Sequence, residues 1–179
     1  MGDVMSTANQ KPLASRPTAA PTQYLTFSLG AELLAVETLS VREIIEYGAL
    51  TPIPMMPPSI LGVINLRGAV VPVVDLRLRF GDSATRLGRR TCIVILEVAQ
   101  EDITQVIGVV VDAVNAVLEI SAADIEPAPR FGGRLRADFM RGMGKVDGRL
   151  VILLDIARVL SADDLALLAH LEEAEQVQA

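Results

Sequence analysis

The sequence predicts an all-β fold with minor helices, organised as two small β-barrels. Short runs rich in β-branched residues recur from Tyr24 onward at roughly ten-residue intervals, separated by Gly, Pro or charged residues, and the pattern occurs twice. A chain of 179 residues that is 51% hydrophobic can bury a substantial core. Because a small sheet hides its unpaired edges best by closing on itself, we expect each repeat to form a barrel.

The first repeat contains five predicted strands and a short helix. The strands are expected at residues 24–29, 33–36, 41–47, 61–66 and 69–74. Gly68 follows Arg67 between the last two strands, where glycine can adopt the positive φ that a tight hairpin requires. Asp75 is placed to cap a helix that runs to Phe80.

The second half of the chain repeats this order, with strands predicted at residues 91–98, 104–111 and 114–120. An offset of 80 places Gly148 on Gly68 and Asp155 on Asp75, and an offset of 75 places Pro127 on the proline at position 52. We therefore predict an internal duplication. One domain is expected over residues 23–160, with subdomains at roughly 23–85 and 86–160 whose ends can be exchanged.

The two termini differ from this body. Residues 1–22 are mostly Ser, Thr, Ala, Pro and Gln, with little to bury, and are predicted to form a flexible tail. Residues 161–179 are predicted to form a helix with an acidic tail, because Ser161 can cap it and Leu165, Leu168 and Leu171 form an apolar stripe at helical spacing.

Charge and composition argue against several classes of function. A net charge of -6 is unsuited to general nucleic-acid binding. Cys92 is the only cysteine and His170 the only histidine, so no disulfide, metal site or cofactor site is expected. No phosphate-loop motif occurs, and no stretch reaches the roughly 18 apolar residues of a membrane span. We expect a cytoplasmic protein that is not an enzyme.

One acid–base pair occurs in the first repeat alone. Glu43 aligns with Leu118, and Arg67 aligns with Asp147. Our hypothesis is that Glu43 and Arg67 form a salt bridge near the hairpin and mark a working surface. The alternative is an exposed pair worth under about 1 kcal/mol.

Arginine is much more common than lysine, which occurs only at Lys11 and Lys145. Such a run usually forms a solvated face, but arginine is also enriched at protein interfaces. Both interpretations stay open for the arginines concentrated in one stretch, Arg67, Arg77, Arg79, Arg86, Arg89 and Arg90.

Several segments resemble a known family. Residues 64–68 read INLRG and residues 70–77 read VVPVVDLR, and together they closely resemble the hallmark segment of CheW-like chemotaxis coupling proteins. Further matches, in the same order as in the family, are VREI at 41–44, IGVVVD at 107–112 and IEPAP at 125–129. The resemblance covers about residues 23–170.

The resemblance implies two five-stranded SH3-like barrels around a common core, related by a pseudo-two-fold axis, and a non-catalytic adaptor without cofactor. It implies binding to the regulatory domain of the histidine kinase CheA and to the cytoplasmic tip of methyl-accepting chemotaxis receptors, at the inner face of the cell membrane, with self-association in array rings. Neither nucleic-acid binding nor direct membrane insertion is implied. The matching partner-binding positions are Val41, Glu43, Ile44, Gly62, Arg67 and Gly68.

Two alternatives are kept beside the chemotaxis adaptor. One is a CheW-like adaptor of another chemosensory pathway, for pilus motility or gene regulation. The other, from a different class, is a small-molecule-binding β-barrel protein or an enzyme that uses the groove between the barrels. A deep polar pocket would favour the latter.

Overall fold

The computed structural model describes residues 21–81, 83–100, 102–127 and 139–159. Its strands are β1 Thr22–Leu29, β2 Glu32–Glu37, β3 Val41–Glu46, β4 Ile60–Leu66, β5 Ala69–Asp75, β6 Cys92–Gln100, β7 Ile103–Val111, β8 Ala113–Ile120, β9 Ile125–Glu126, β10 Met140–Val146 and β11 Arg149–Leu154. Two short helices, α1 Leu76–Arg79 and α2 Ile156–Val159, follow β5 and β11. The all-β prediction is confirmed. The predicted C-terminal helix and almost all of the predicted tail at 1–22 lie outside the described residues.

The strands form two sheets that exchange elements between the repeats. One sheet has the order β3-β6-β7-β5-β4, and the other has the order β8-β1-β2-β11-β10-β9. The hairpin β6–β7 thus completes the sheet of β3, β4 and β5, while β1–β2 joins the later strands. The extents of the subdomains, roughly 23–85 and 86–160 with ends that can be exchanged, stay a prediction.

The duplication is visible in the geometry of the two copies. Parallel pairing joins β5 to β7 in one sheet and β11 to β2 in the other. A two-residue turn with positive φ closes each long hairpin, at Arg67 (53°) and Gly68 (88°) in the first and at Asp147 (52°) and Gly148 (77°) in the second. The predicted offset of 80 is therefore confirmed by backbone conformation.

The offset of 75 also has a structural counterpart. Thr51 forms an isolated bridge with Val63. In the second copy Glu126, on the two-residue strand β9, pairs with Met143 on β10. From the first copy to the second, the hairpin residue shifts by 80 positions, from Val63 to Met143, and the residue that bridges to it shifts by 75, from Thr51 to Glu126. This difference is expected if a short insertion separates the two registers.

The described residues form a core with three parts. A shared cluster between the sheets takes side chains from both, including Phe27, Leu34, Val94 and Ile107. A smaller cluster lies in each sheet, one in the five-stranded and one in the six-stranded sheet. Strands β6 and β7 contribute buried residues to two clusters, which explains their continuous apolar sequence. Each large side chain so buried stabilises the fold by about 1.5–3 kcal/mol.

Asp75 caps α1, as predicted. Its carboxylate accepts hydrogen bonds from the backbone N–H of Arg77 (3.0 Å) and of Leu78 (3.5 Å). Thr85 adds two more, from its N–H (3.0 Å) and its Oγ1 (2.9 Å). A carboxylate that is only 2% exposed is thus fully engaged, and it connects α1 to the segment that follows.

Among the helices of the described part, none has the length and apolar character needed to cross a membrane.

Candidate functional site

The predicted salt bridge between Glu43 and Arg67 is present. Arg67 Nη1 lies 3.4 Å from Glu43 Oε1, and Nη2 donates to Oε2 in a second contact. Glu43 lies on β3 and Arg67 directly follows β4, and these strands form the two edges of the five-stranded sheet. The ion pair therefore connects the two edges at the point where the sheet closes into a barrel.

This ion pair lies at the surface. The Arg67 side chain is 69% exposed and the Glu43 side chain 29% exposed. A pair of this kind contributes about 0–1 kcal/mol to stability, although the two-pronged contact orients both groups. Since its effect on stability is small, its more important property is the fixed arrangement of charge that it presents to solvent.

Strand β3 carries the apolar site residues on two different faces. Ile44 is 44% exposed and lies next to Glu43, whereas Val41 is half-buried and packs against the shared core cluster. A register shift between Val41 and Glu43 interrupts the pairing of β3 with β6. Of these two side chains, Ile44 is exposed enough to contact a partner, whereas Val41 belongs to the packing of the core.

The two glycines of the predicted site have backbone roles. Gly62 has a φ of 153°, and a Cβ added there would lie 2.5 Å from the carbonyl O of Thr51. Gly68 has open space around it, and its N–H donates to Asn65 Oδ1 at 2.9 Å. Gly62 thus permits the close approach of residue 51, and Gly68 permits the turn that presents Arg67. The structure brings Glu43, Arg67 and Gly68 together at one surface and places Gly62 beneath the segment that bridges to β4.

A cleft of about 220 Å³ lies between the two sheets, as predicted for the groove between barrels. Val36 and Glu37 of β2, Glu97 and Val98 of β6 and Arg141 of β10 contribute to its lining. Its lining acids are paired with arginine: Glu37 contacts Arg141, Glu97 contacts Arg42 at 3.0 Å, and Asp155 contacts Arg158 at 3.6 Å.

Sequence reasoning missed two residues, one that lines this cleft and one that adjoins a lining residue in the chain. Arg141 lines it, and Leu39, which is 90% exposed, precedes the lining residue Ser40 on a short turn. Leu39 could have been identified from the sequence, because a large apolar residue in a turn between two strands is often exposed. Nothing in the pattern around Arg141 indicated that it would face the cleft.

Two titratable groups near the core, Cys92 and Tyr24, have pKa values that burial raises. Burial raises the pKa of the Cys92 thiol, which keeps it protonated and a poor nucleophile at neutral pH. Burial, together with the carboxylate of Glu37, also raises the pKa of Tyr24, although Arg141 acts in the opposite direction. Within residues 21–81, 83–100, 102–127 and 139–159, no three His, Cys, Asp or Glu side chains are grouped to hold a metal ion. His170 lies outside the described residues.

Comparisons with known proteins agree with this geometry. A family model described as CheW-like domain matches residues 23–164. Chemotaxis protein CheW of Klebsiella aerogenes is 38% identical over 145 residues, covering 81% of this chain and 85% of the relative. Protein FrzA of Myxococcus xanthus is 34% identical over 140 residues, covering 77% of this chain and 84% of the relative.

A solved structure gives the same result for the fold. The crystal structure of the scaffolding protein TtCheW from Thermoanaerobacter tengcongensis superposes with a TM-score of 0.72 at 31% identity, covering 84% of this chain and 93% of that chain. The prediction of two SH3-like subdomains is thereby confirmed, and family membership confirms that this is a scaffold and not an enzyme. The chain belongs to the CheW-like family of chemotaxis coupling adaptors.

Proposed function

We propose that this chain holds a methyl-accepting chemotaxis receptor and the histidine kinase CheA in one assembly by offering each a separate surface. The regulatory domain of the kinase contacts the barrel edge at Glu43, Ile44 and Arg67, and the helical tip of the receptor contacts the cleft between the sheets. The observation that carries the proposal is the ion pair between Glu43 and Arg67, whose aligned positions in the second copy hold Leu118 and Asp147.

The barrel edge suits a protein partner. Arg67 presents most of its guanidinium to solvent on a turn fixed by two residues of positive φ, and Ile44 supplies exposed apolar surface nearby on β3. Arginine beside an apolar side chain is a common composition at the centre of interfaces. The small stabilising effect of the ion pair leaves recognition as its main contribution.

The cleft suits a helix. Its walls combine half-buried apolar side chains such as Ile156 and Ala157 with carboxylates already paired to arginine, and the exposed Leu39 precedes the lining residue Ser40. An amphipathic helix can place its apolar face in such a groove while its polar residues contact the charged border. From family membership we further propose a location in the cytoplasm, at the inner face of the membrane through receptor arrays, and self-association in array rings.

Binding of purified components tests the proposal. We expect Arg67→Glu to weaken binding of the CheA regulatory domain from the same genome by about tenfold, or roughly 1.4 kcal/mol. Binding of the receptor tip should change little. Arg149→Glu is a matched control, because Arg149 is also exposed and the charge change is equal. Loss of folding in Arg67→Glu, or unchanged kinase binding, would defeat the assignment of this surface.

An adaptor of another chemosensory pathway is the second candidate, because the similarity to FrzA fits it. Identifying which receptor and kinase the purified chain retains from cell extract would distinguish the two. Recovery of a receptor and kinase from a pilus or gene-regulation system would replace the chemotaxis assignment while leaving the coupling mechanism in place.

A further inference from the structure

The arginine-rich stretch divides into two groups in the structure. Arg67 pairs with Glu43, and Arg79 donates from Nε to the carbonyl O of Val159 at 2.8 Å. Arg77 is half-buried in α1. The other members are exposed and make no hydrogen bond or ion pair with any residue that the structure describes; they are Arg86, Arg89 and Arg90.

Residues 86–90, here called the arginine loop, are held at both ends. Thr85 precedes the loop and donates twice to the buried Asp75. At the other end the N–H of Gly88 donates to Thr91 Oγ1 at 2.7 Å, and the N–H of Thr91 donates to the Gly88 carbonyl at 3.3 Å. Thr91 is 7% exposed. The loop is therefore ordered in advance, which lowers the entropic cost of binding.

The chemistry of the loop contrasts with the remaining surface. It contains no acidic residue, and Leu87 between its arginines is 61% exposed. Most other basic side chains of the described residues are paired with acids, as in the contacts Arg42–Glu97, Arg141–Glu37, Lys145–Glu126 and Arg158–Asp155, and Arg149 is exposed without such a contact. Within the described part of the chain, three unpaired positive charges are thus grouped around one apolar side chain, whereas the whole chain has a net charge of -6.

We propose that the arginine loop binds an acidic protein segment that carries an apolar residue among its carboxylates. Guanidinium groups bind carboxylates through two parallel hydrogen bonds, and Leu87 provides the apolar contact that a protein segment can match. The loop contains none of the residues assigned above to the kinase edge or to the receptor cleft, and this proposal does not rest on the proposed coupling function.

A protein partner is favoured over a membrane surface. Each arginine near an anionic membrane contributes about 1 kcal/mol, and stable binding commonly uses four to eight basic residues, roughly twice the content of this loop. The negative charge on the remaining chain opposes adsorption to an anionic surface as a whole. A short acidic segment can contact the loop alone and avoid that repulsion.

The test is a titration of the full chain into a fluorescent synthetic peptide of glutamates with a leucine at its centre. We expect Arg89→Glu to weaken binding about fivefold and the triple change at 86, 89 and 90 to abolish it, with Leu87→Ser weakening it about threefold. Arg149→Glu, which changes the net charge as much as Arg89→Glu, should leave the dissociation constant within about twofold. Thermal unfolding checks the fold, and Arg89→Gln replaces any Glu variant that unfolds.

Four results would overturn the proposal: no binding by the full chain, equal losses in Arg89→Glu and Arg149→Glu, binding to phosphatidylserine vesicles without binding to the peptide, or peptide binding only after residues 161–179 are removed. The third would identify the partner as a membrane surface. The fourth would identify the occupant as the acidic C-terminal segment of the chain itself.

Discussion

The two copies of the long hairpin share their backbone and differ in their side chains. Each turn has two residues of positive φ, and each preceding strand carries a glycine that faces a bridging segment. Yet the first turn presents Arg67 to Glu43, and the second presents Asp147. The glycines and the turn conformation that the hairpin requires are therefore the same in both copies, whereas the side chain at the first turn position has diverged. Such divergence is expected where one copy has acquired a binding role.

Among the substitutions that test this comparison, the largest loss of stability should come from replacing the glycine in the strand that precedes each turn. In Gly62→Ala the new Cβ would lie 2.5 Å from the carbonyl O of Thr51 at a φ of 153°, so both a clash and backbone strain are introduced. We expect the free energy of unfolding to fall by about 3 kcal/mol. Urea denaturation would measure it.

Gly142→Ala is the matched change in the second copy. Its Cβ would lie 2.8 Å from the carbonyl O of Glu126 and 2.8 Å from Ile125 Cγ2, a side-chain atom that can move. The loss should be smaller than for Gly62→Ala. An equal or greater loss would mean that strain at Gly62 is not what distinguishes the copies.

The aspartates that precede the two short helices should show the next largest difference. Asp75 is buried and accepts four hydrogen bonds, whereas Asp155 is half-buried and pairs with Arg158 at 3.6 Å. Asp75→Ala leaves four part-buried donors without their acceptor, so we expect a loss of about 2–3 kcal/mol in urea denaturation. Asp155→Ala should cost under about 1 kcal/mol. Similar losses at the two positions would contradict this assignment.

The two turn glycines should behave alike. Gly68 and Gly148 have φ of 88° and 77°, and neither has an atom within 4 Å of an added Cβ. Alanine at either position should therefore cost about 1 kcal/mol through backbone strain alone. Thermal unfolding of the two single variants would check this, and a difference well above the measurement error would show that the turns are not equivalent.

Strands and turns could be predicted because they depend on neighbouring residues. The pairing of strands that are far apart in the chain could not. The positions of β1–β8 follow from runs of β-branched residues, and the turn at Gly68 follows from the requirement for positive φ. The exchange of β1–β2 and β6–β7 between sheets depends on pairing over long separations, for which both repeats offer similar apolar strands. The alternation of apolar and polar residues along a strand contains no information about which of these similar strands will pair.

The candidate site was predictable to a similar extent. The difference between the copies at Glu43 and Arg67 indicated the ion pair before any geometry was available. Side chains at the cleft, such as Arg141, come together only when two sheets pack, so spacing along the chain could not identify them. The arginine run was apparent, but its division into paired and unpaired groups depends on tertiary contacts.

The smallest change in stability should come from giving the first copy the residues of the second. The double variant Glu43→Leu with Arg67→Asp removes an exposed ion pair, so the free energy of unfolding should change by under about 1 kcal/mol. Arg67 has a positive φ that aspartate tolerates, as Asp147 shows in the second turn. Urea denaturation and binding of the kinase regulatory domain, measured on the same preparation, would separate stability from recognition. A fold that is nearly unchanged with binding strongly weakened would assign the difference between the copies to recognition, whereas a loss of several kcal/mol would show that the pair is part of barrel closure.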